Sequence, residues 1–379
     1  MAFNANYKKN NYHFKTNAYI KMISDKFNDF FTQVDEYLNG HRYLSEEKTY
    51  YIDENGKKRY TREAQEEFNK VTKRDYLRIK NELNSVEILG KQRELVSLEK
   101  RKEIWDDLHS QLITHINTLK KLYPYHDFSK AYKKAEDVVF RIRYAEENMG
   151  EVADQFTSKL CPFIGIHIEP QYVSDAHGLT GLRHEFTHLC CELDYDSYVK
   201  ERTNLTRFPV VLEEGVTQYI QTSAIIYENF DEDSIKLSKD TYYVYTKIAE
   251  IYKNLFGEKV LIESYFSSDM TLINNSFKEL ASQIPRFSKL IDDRFLERLN
   301  IDLNRLFLTT RRNNDADTSI TSINRFPYLM KFFEFAYIIF DREPNFDIAF
   351  ANLELINDVI NSLDNFFDER KIGKKAALR

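Results

Sequence analysis

Apolar residues recur at intervals of three and four along most of the chain, the period of a helix with one buried face. A loose helical pattern runs through residues 14–38. Lys48–Thr61 departs from it: two aromatic-bearing runs flank Glu54-Asn55-Gly56, which predicts a β-hairpin near 48–61. Helical pattern resumes at Thr61 and continues to about Leu122, interrupted by Gly90. Leu95, Leu98, Ile104, Leu108, Leu112 and Ile116 form an amphipathic stripe there, read as helix-bundle core. A further helix fits Ser129–Asn148, ending at Gly150.

The texture then changes. Cys161–Val173 is a β-rich run interrupted by Pro170, and Ser174–Gly178 reads as a turn. Three helices are predicted next: about Leu179–Leu193, Pro209–Phe230 with proline at its start, and Thr241–Gly257 closed by glycine. Residues 271–379 read as more helices, with Asn313–Ser319 as their clearest loop and a frayed tail. The expected fold class is α+β, mainly α, with a small sheet. The expected organisation is a helical N-terminal region (1–150), a central core (151–270) and a helical C-terminal region (271–379).

Composition agrees with this picture. With only 10 Gly and 7 Pro in 379 residues, the chain suits long helices better than a turn-rich all-β fold. Its 25 Tyr and 28 Phe supply large aromatic cores. A net charge of -6 argues against a general nucleic-acid binder. The charge is uneven: residues 1–150 carry 28 Lys and Arg against 24 Asp and Glu, and 151–379 carry 26 against 36, so any mildly basic character belongs to the solvated helices of the first region. Three cysteines without framework spacing indicate a reducing compartment. No apolar h-region stands near the start and no apolar run approaches the roughly 20 residues of a membrane span, so a soluble cytoplasmic protein is expected, with signal-independent export left open.

The candidate chemistry lies in Gly181–Leu193, GLRHEFTHLCCEL. His184 and His188 are four apart and share one helix face, the geometry of two imidazoles aimed at one metal ion, with Glu185 one step round beside them. A catalytic zinc site wants a third protein ligand and an open position. Glu214 in LEEGVTQY, separated from His188 by 25 residues, is placed to supply it, and Gly215 beside it would let the two helices approach closely. His184, His188 and Glu214 then form a His₂Glu set for Zn²⁺; Glu213, Asp194 and Asp196 are the alternatives for the third position. Gln218, one turn after Glu214, could hold a ligand histidine or lie on the surface. His167 and His177 read as a strand and a turn residue, and Cys190 and Cys191 as buried small apolar groups.

HEFTH followed by LEEGVTQY resembles the gluzincin metallopeptidases, the group that includes thermolysin and the aminopeptidase-N family. The resemblance spans about residues 160–260. It implies a zincin-like core, with His184, His188 and Glu214 as zinc ligands and Glu185 as general base. Val244–Tyr252 is similar to the aminopeptidase segment Val-Tyr-Glu-Lys-Gly, which implies that Tyr245 stabilises the oxyanion; Tyr242, Tyr243 and Tyr219 compete for that part. No Gly-x-Met-Glu-Asn-like segment precedes HEFTH, and only Glu169 lies upstream nearby, which favours an endopeptidase. On this reading the substrate is a peptide or protein, and Phe163–Ile168 is an edge strand that holds it by main-chain pairing. The rival expectation is an interaction protein with a structural or inactive zinc site. Glu185 speaks against that, because a structural site has no use for a base beside the metal.

Overall fold

The structure, a computed structural model, describes residues 50–52, 58–60, 73–89, 96–144, 155–158, 161–168, 176–191, 205–240, 242–310 and 323–377. In chain order the elements are β1 (Tyr50–Ile52), β2 (Lys58–Tyr60), α1 (73–82), β3 (Val86–Leu89), α2 (Leu98–Leu122), α3 (Ser129–Glu136), β4 (Val139–Tyr144), β5 (Gln155–Ser158) and β6 (Phe163–Ile168). Helices follow: α4 (Ala176–Leu189), α5 (Val210–Tyr227), α6 (Glu232–Asp240), α7 (Tyr243–Phe256), α8 (Glu258–Ser267), α9 (Thr271–Ser282), α10 (Asp293–Thr310), α11 (Pro327–Asp341) and α12 (Phe346–Ala377), with a short 3₁₀ turn at Ile323–Arg325. The protein is therefore α+β and mainly α.

The chain divides into two compact units, Arg62–Asn300 and a second made of Met1–Thr61 with Ile301–Arg379. In the second unit β1 pairs antiparallel with β2, Tyr50 opposite Tyr60. Asp302 is buried there and accepts the Tyr328 and Leu329 N–H groups at 2.8 and 3.3 Å, which caps the start of α11 where backbone donors have no helical partner. Helix α12 continues to Ala377, so most of the tail expected to fray is helical; residues 311–322, which hold the expected loop, lie outside the described residues.

The Arg62–Asn300 unit is built on a four-stranded sheet, order β3-β4-β6-β5, parallel except for β5. Two of its strands occupy segments read from sequence as helix. Val86–Leu89 is too short to break a helical pattern by itself. In Val139–Tyr144 the alternation Phe140-Arg141-Ile142-Arg143 is the strand signal, and it ends the helix after Glu136. Register puts Val86 beside Phe140 and Ile88 beside Ile142, then Phe140 beside Ile164 and Ile142 beside Ile166, all buried on one face. On the other face Val139 and Phe163 pack with Tyr76 and Ile79 of α1. Buried Glu87 is bound there by Arg141 and Arg78, each at 2.7 Å, so its charge is paired rather than stranded.

The order places β6 between β4 and β5, so Phe163–Ile168 is an interior strand and not the expected edge. The edge on that side is β5, which packs against α4.

In α2 the side chains of Leu108, Leu112, Ile116 and Leu119 are buried, whereas Leu98 is exposed; Ser97 caps its start through Lys100 N–H at 3.2 Å. Helix α4 begins at Ala176, one turn earlier than the sequence pattern suggested, so His177 and Gly178 are helical. Helix α7 ends at Gly257, whose φ of 90° is open to glycine and strained for other residues.

Gly215 does allow a close approach, but to α7 rather than to α4. A Cβ at this position would lie 2.1 Å from the carbonyl oxygen of Tyr245. Alanine has the higher helix propensity by about 1 kcal/mol, yet here the obstacle is backbone and cannot swing away. Gly215→Ala is therefore expected to destabilise the protein, at the upper end of the roughly 1–3 kcal/mol typical of overpacking. A urea denaturation midpoint at or above wild type would show that α5 and α7 are not so close.

Candidate metal centre

Helices α4 and α5 pack together and bring HEFTH against LEEGVTQY. Helix α4 is fixed from behind. Arg183 is buried between Glu228, at 3.0 Å, and the Gln111 carbonyl, at 2.7 Å, while Thr118 donates to the same Glu228 at 2.7 Å. One turn on, Thr187 donates to the Arg183 carbonyl and accepts from Nε2 of the buried His115 at 2.8 Å. Burial lowers the pKa of Arg183, against the pull of Glu228, and pushes that of His115 well below its usual range. Residues 183 and 187 thus tie one face of α4 to α2 and α5, and turn residues 184 and 188 to the other side.

There His184 Nε2 lies 3.1 Å from Glu214 Oε2 and 3.2 Å from His188 Nε2, and His188 Nε2 lies 3.5 Å from the same Glu214 oxygen. Three donor atoms form a nearly equilateral triangle. A tetrahedral ion with bonds of about 2.05 Å spaces its ligands about 3.4 Å apart. The three edges fit one face of that tetrahedron.

The other ring nitrogens are set by neighbours on α5. Gln221 donates its amide to the Thr180 carbonyl at 2.8 Å, so its oxygen, 3.2 Å from His184 Nδ1, faces the ring as an acceptor. His184 then carries its proton on Nδ1 and presents a lone pair at Nε2. The Thr217 hydroxyl is spent on the Glu213 carbonyl at 2.7 Å, so it accepts from Tyr265 at 2.6 Å and from His188 Nδ1 at 3.4 Å. His188 is oriented the same way, with Glu213 Oε1 at 3.7 Å from that nitrogen.

Electrostatics bind the cluster. Burial opposes a charge on His188, but Glu214, with Glu185 and Glu213 nearby, outweighs it, and the imidazole pKa is pushed up to about 9. Burial likewise opposes the Glu214 carboxylate, and the two histidines outweigh that, holding its pKa well below the usual carboxylate range.

Glu185 is buried on α4 beside this cluster. Tyr245 is buried as well, with its ring stacked on that of Tyr242; it is Tyr242 whose ring lies against His184. Tyr219 donates to Glu258 at 2.6 Å, and Tyr243 is exposed under Lys247. Gln218 is buried and donates to Ser238, so the amide that meets His184 is Gln221 instead. Its signal was present in the sequence: Glu214, Thr217 and Gln221 stand at i, i+3 and i+7, one face of a helix. Cys190 and Cys191 are buried. Asp194, Asp196 and Glu169 lie outside the described residues, as do the side chains of His167 and His177.

Among the described residues, His184, His188 and Glu214 are the group of histidine, cysteine and acidic side chains that could hold a metal ion. Two neutral imidazole nitrogens and one carboxylate oxygen are a donor set that suits zinc. Comparison of the chain with models of protein families, with characterised proteins and with solved structures finds no match.

Proposed function

We propose that the chain is a zinc-dependent peptidase of gluzincin type that cleaves internal peptide bonds. The observation that carries this reading is the triangle of His184 Nε2, His188 Nε2 and Glu214 Oε2, edges 3.1–3.5 Å, with Glu185 on the same helix as the two histidines. His184, His188 and Glu214 would hold the zinc, which when bound would supply Lewis acidity and lower the pKa of a coordinated water towards about 7. Glu185 takes the proton of the attacking water as its oxygen bonds to the carbonyl carbon, and passes it to the amine nitrogen as the C–N bond breaks. Gln221 and Thr217 hold the two imidazoles in the tautomer that leaves Nε2 free. Strand β5, at the sheet edge beside α4, offers main-chain pairing to an extended peptide. Among the described residues three protein donors converge, the number of a catalytic zinc site, whereas a structural site closes with a fourth. Among the described residues no helix is long and apolar enough to cross a membrane.

The test is joint. Purified protein should carry about one zinc per chain, and it should cleave an unstructured protein such as denatured casein, stop on chelation and resume on zinc addition. Zinc content without any hydrolysis would leave a binding protein.

The charge balance adds a pH prediction. In the metal-free protein His188 keeps its proton up to about pH 9 because Glu214 faces it, while Glu214 is already ionised. A ligand imidazole must be neutral, so His188 should contribute about one expelled proton to zinc uptake at pH 7 and none well above pH 9, on top of the proton that a coordinated water of pKa near 7 loses. Calorimetric enthalpies measured in buffers of different ionisation heat give that number directly.

A further inference from the structure

Tyr242 adopts a left-handed backbone, φ 51° and ψ 31°, which a residue with a Cβ takes only at a cost. It stands at the start of α7, where its carbonyl accepts Thr246 N–H at 2.9 Å and the Thr246 hydroxyl at 3.2 Å. Either bond would serve a glycine equally well. These bonds give no reason for a side chain here, and the contacts of the ring do. Its ring lies 5.5 Å from that of His184, at 31°, and 5.6 Å from that of Tyr245, at 16°. His184 in turn meets His188 edge-on at 4.8 Å. Four rings thus run in series from the buried Tyr245 to the metal ligands. Tyr242 is the member that reaches solvent, 41% exposed, whereas Tyr245 is 7% exposed.

From this we infer that Tyr242 is a specificity-determining residue: its ring is a platform beside the metal that receives an aromatic or large apolar side chain of the substrate, next to the bond to be cleaved. The inference rests on the zinc-peptidase reading. The physical basis is ring–ring packing and burial of apolar area against a surface already held rigid by two neighbouring rings. The left-handed backbone turns the Tyr242 ring toward His184; right-handed backbone at this position would give the side chain a different direction.

The experiment uses zinc-loaded full-length protein and two hydroxamates, one bearing a phenyl group and one a methyl group, both anchored by the metal. Binding is measured by calorimetry, and zinc content and thermal unfolding are measured on the same samples. Wild type should prefer the phenyl compound by about 10-fold or more. Tyr242→Phe should keep that preference. Tyr242→Gly should bring it close to parity while retaining zinc, with a melting temperature within about 3 °C of wild type, because relief of the backbone offsets the lost ring packing. Tyr242→Asn, which tolerates the left-handed backbone without the ring, should behave like glycine. Undiminished phenyl preference in the glycine and asparagine proteins overturns the platform. So does a phenylalanine protein that loses the preference, since the hydroxyl would then be the recognising group. Wild type that binds no zinc overturns the metal reading itself, and is recognised by its metal content before any hydroxamate is added.

Discussion

Alanine at Glu214 should strip the zinc, and alanine at Glu213 should leave it in place. The two residues are adjacent and both acidic, and on a helix they point about 100° apart. The distances decide between them. Glu214 Oε2 faces both Nε2 atoms, at 3.1 and 3.5 Å, whereas Glu213 Oε1 is 3.7 Å from Nδ1 of His188, the nitrogen turned away from the metal position. Glu214→Ala leaves two histidines, an incomplete donor set with no geometry for catalysis, and leaves His188 without the carboxylate that raises its pKa. Glu213→Ala removes a neighbour of a ligand, and its effect on affinity should stay below the roughly 10–100-fold of a lost supporting contact. Zinc titration of both proteins against a competing chelator separates them. Metal lost from the Glu213 protein and kept by the Glu214 protein would move the third ligand by one residue and break the resemblance at that motif.

Glu185→Gln should give the opposite pattern: zinc retained, fold retained, activity reduced by roughly 10²–10⁴-fold, the usual contribution of a general base. Glutamine keeps the size of the side chain and cannot take up a proton. Glu185 is buried on the ligand helix but is not one of the three donors, so its loss costs chemistry and not metal. Rates with a single defined peptide, alongside metal analysis, check the point. Near-normal turnover would place the proton transfer on another group.

The helical half of this architecture is written plainly in the sequence, because apolar residues at three and four mark it. His184, His188 and Glu214 are legible for the same reason: spacing on one helix, then a partner helix at a workable distance. The sheet is not. Val86–Leu89 is four residues long and inherits the pattern of its flanks. Val139–Tyr144 carries its alternation in the open, yet it follows a good helix without a break in composition. Parallel strands are hard to read because their partners are distant: β4 pairs with β3 across α2 and α3 in the chain, and with β6 across β5. Gln221 could have been found by stepping along the face of Glu214, but a step of four to Gln218 is equally helical, and only the packing of α6 assigns Gln218 to Ser238. That the Tyr242 ring lies against His184, with Tyr242 in left-handed backbone, is a detail of packing that no periodicity reveals.

The buried ties behind α4 have a consequence for how the protein meets its metal. Arg183 to Glu228 and Gln111, and Thr187 to His115, hold the rotation of α4 through bonds that do not involve the proposed metal ligands. Folding and metal uptake are then separate events, unlike in a zinc finger, where the ion is what folds the chain. On the zinc-peptidase reading the protein would stand as a finished but silent scaffold before the ion arrives. Its activity would then follow the supply of free zinc around it, as a valve follows its handle, with no refolding in between.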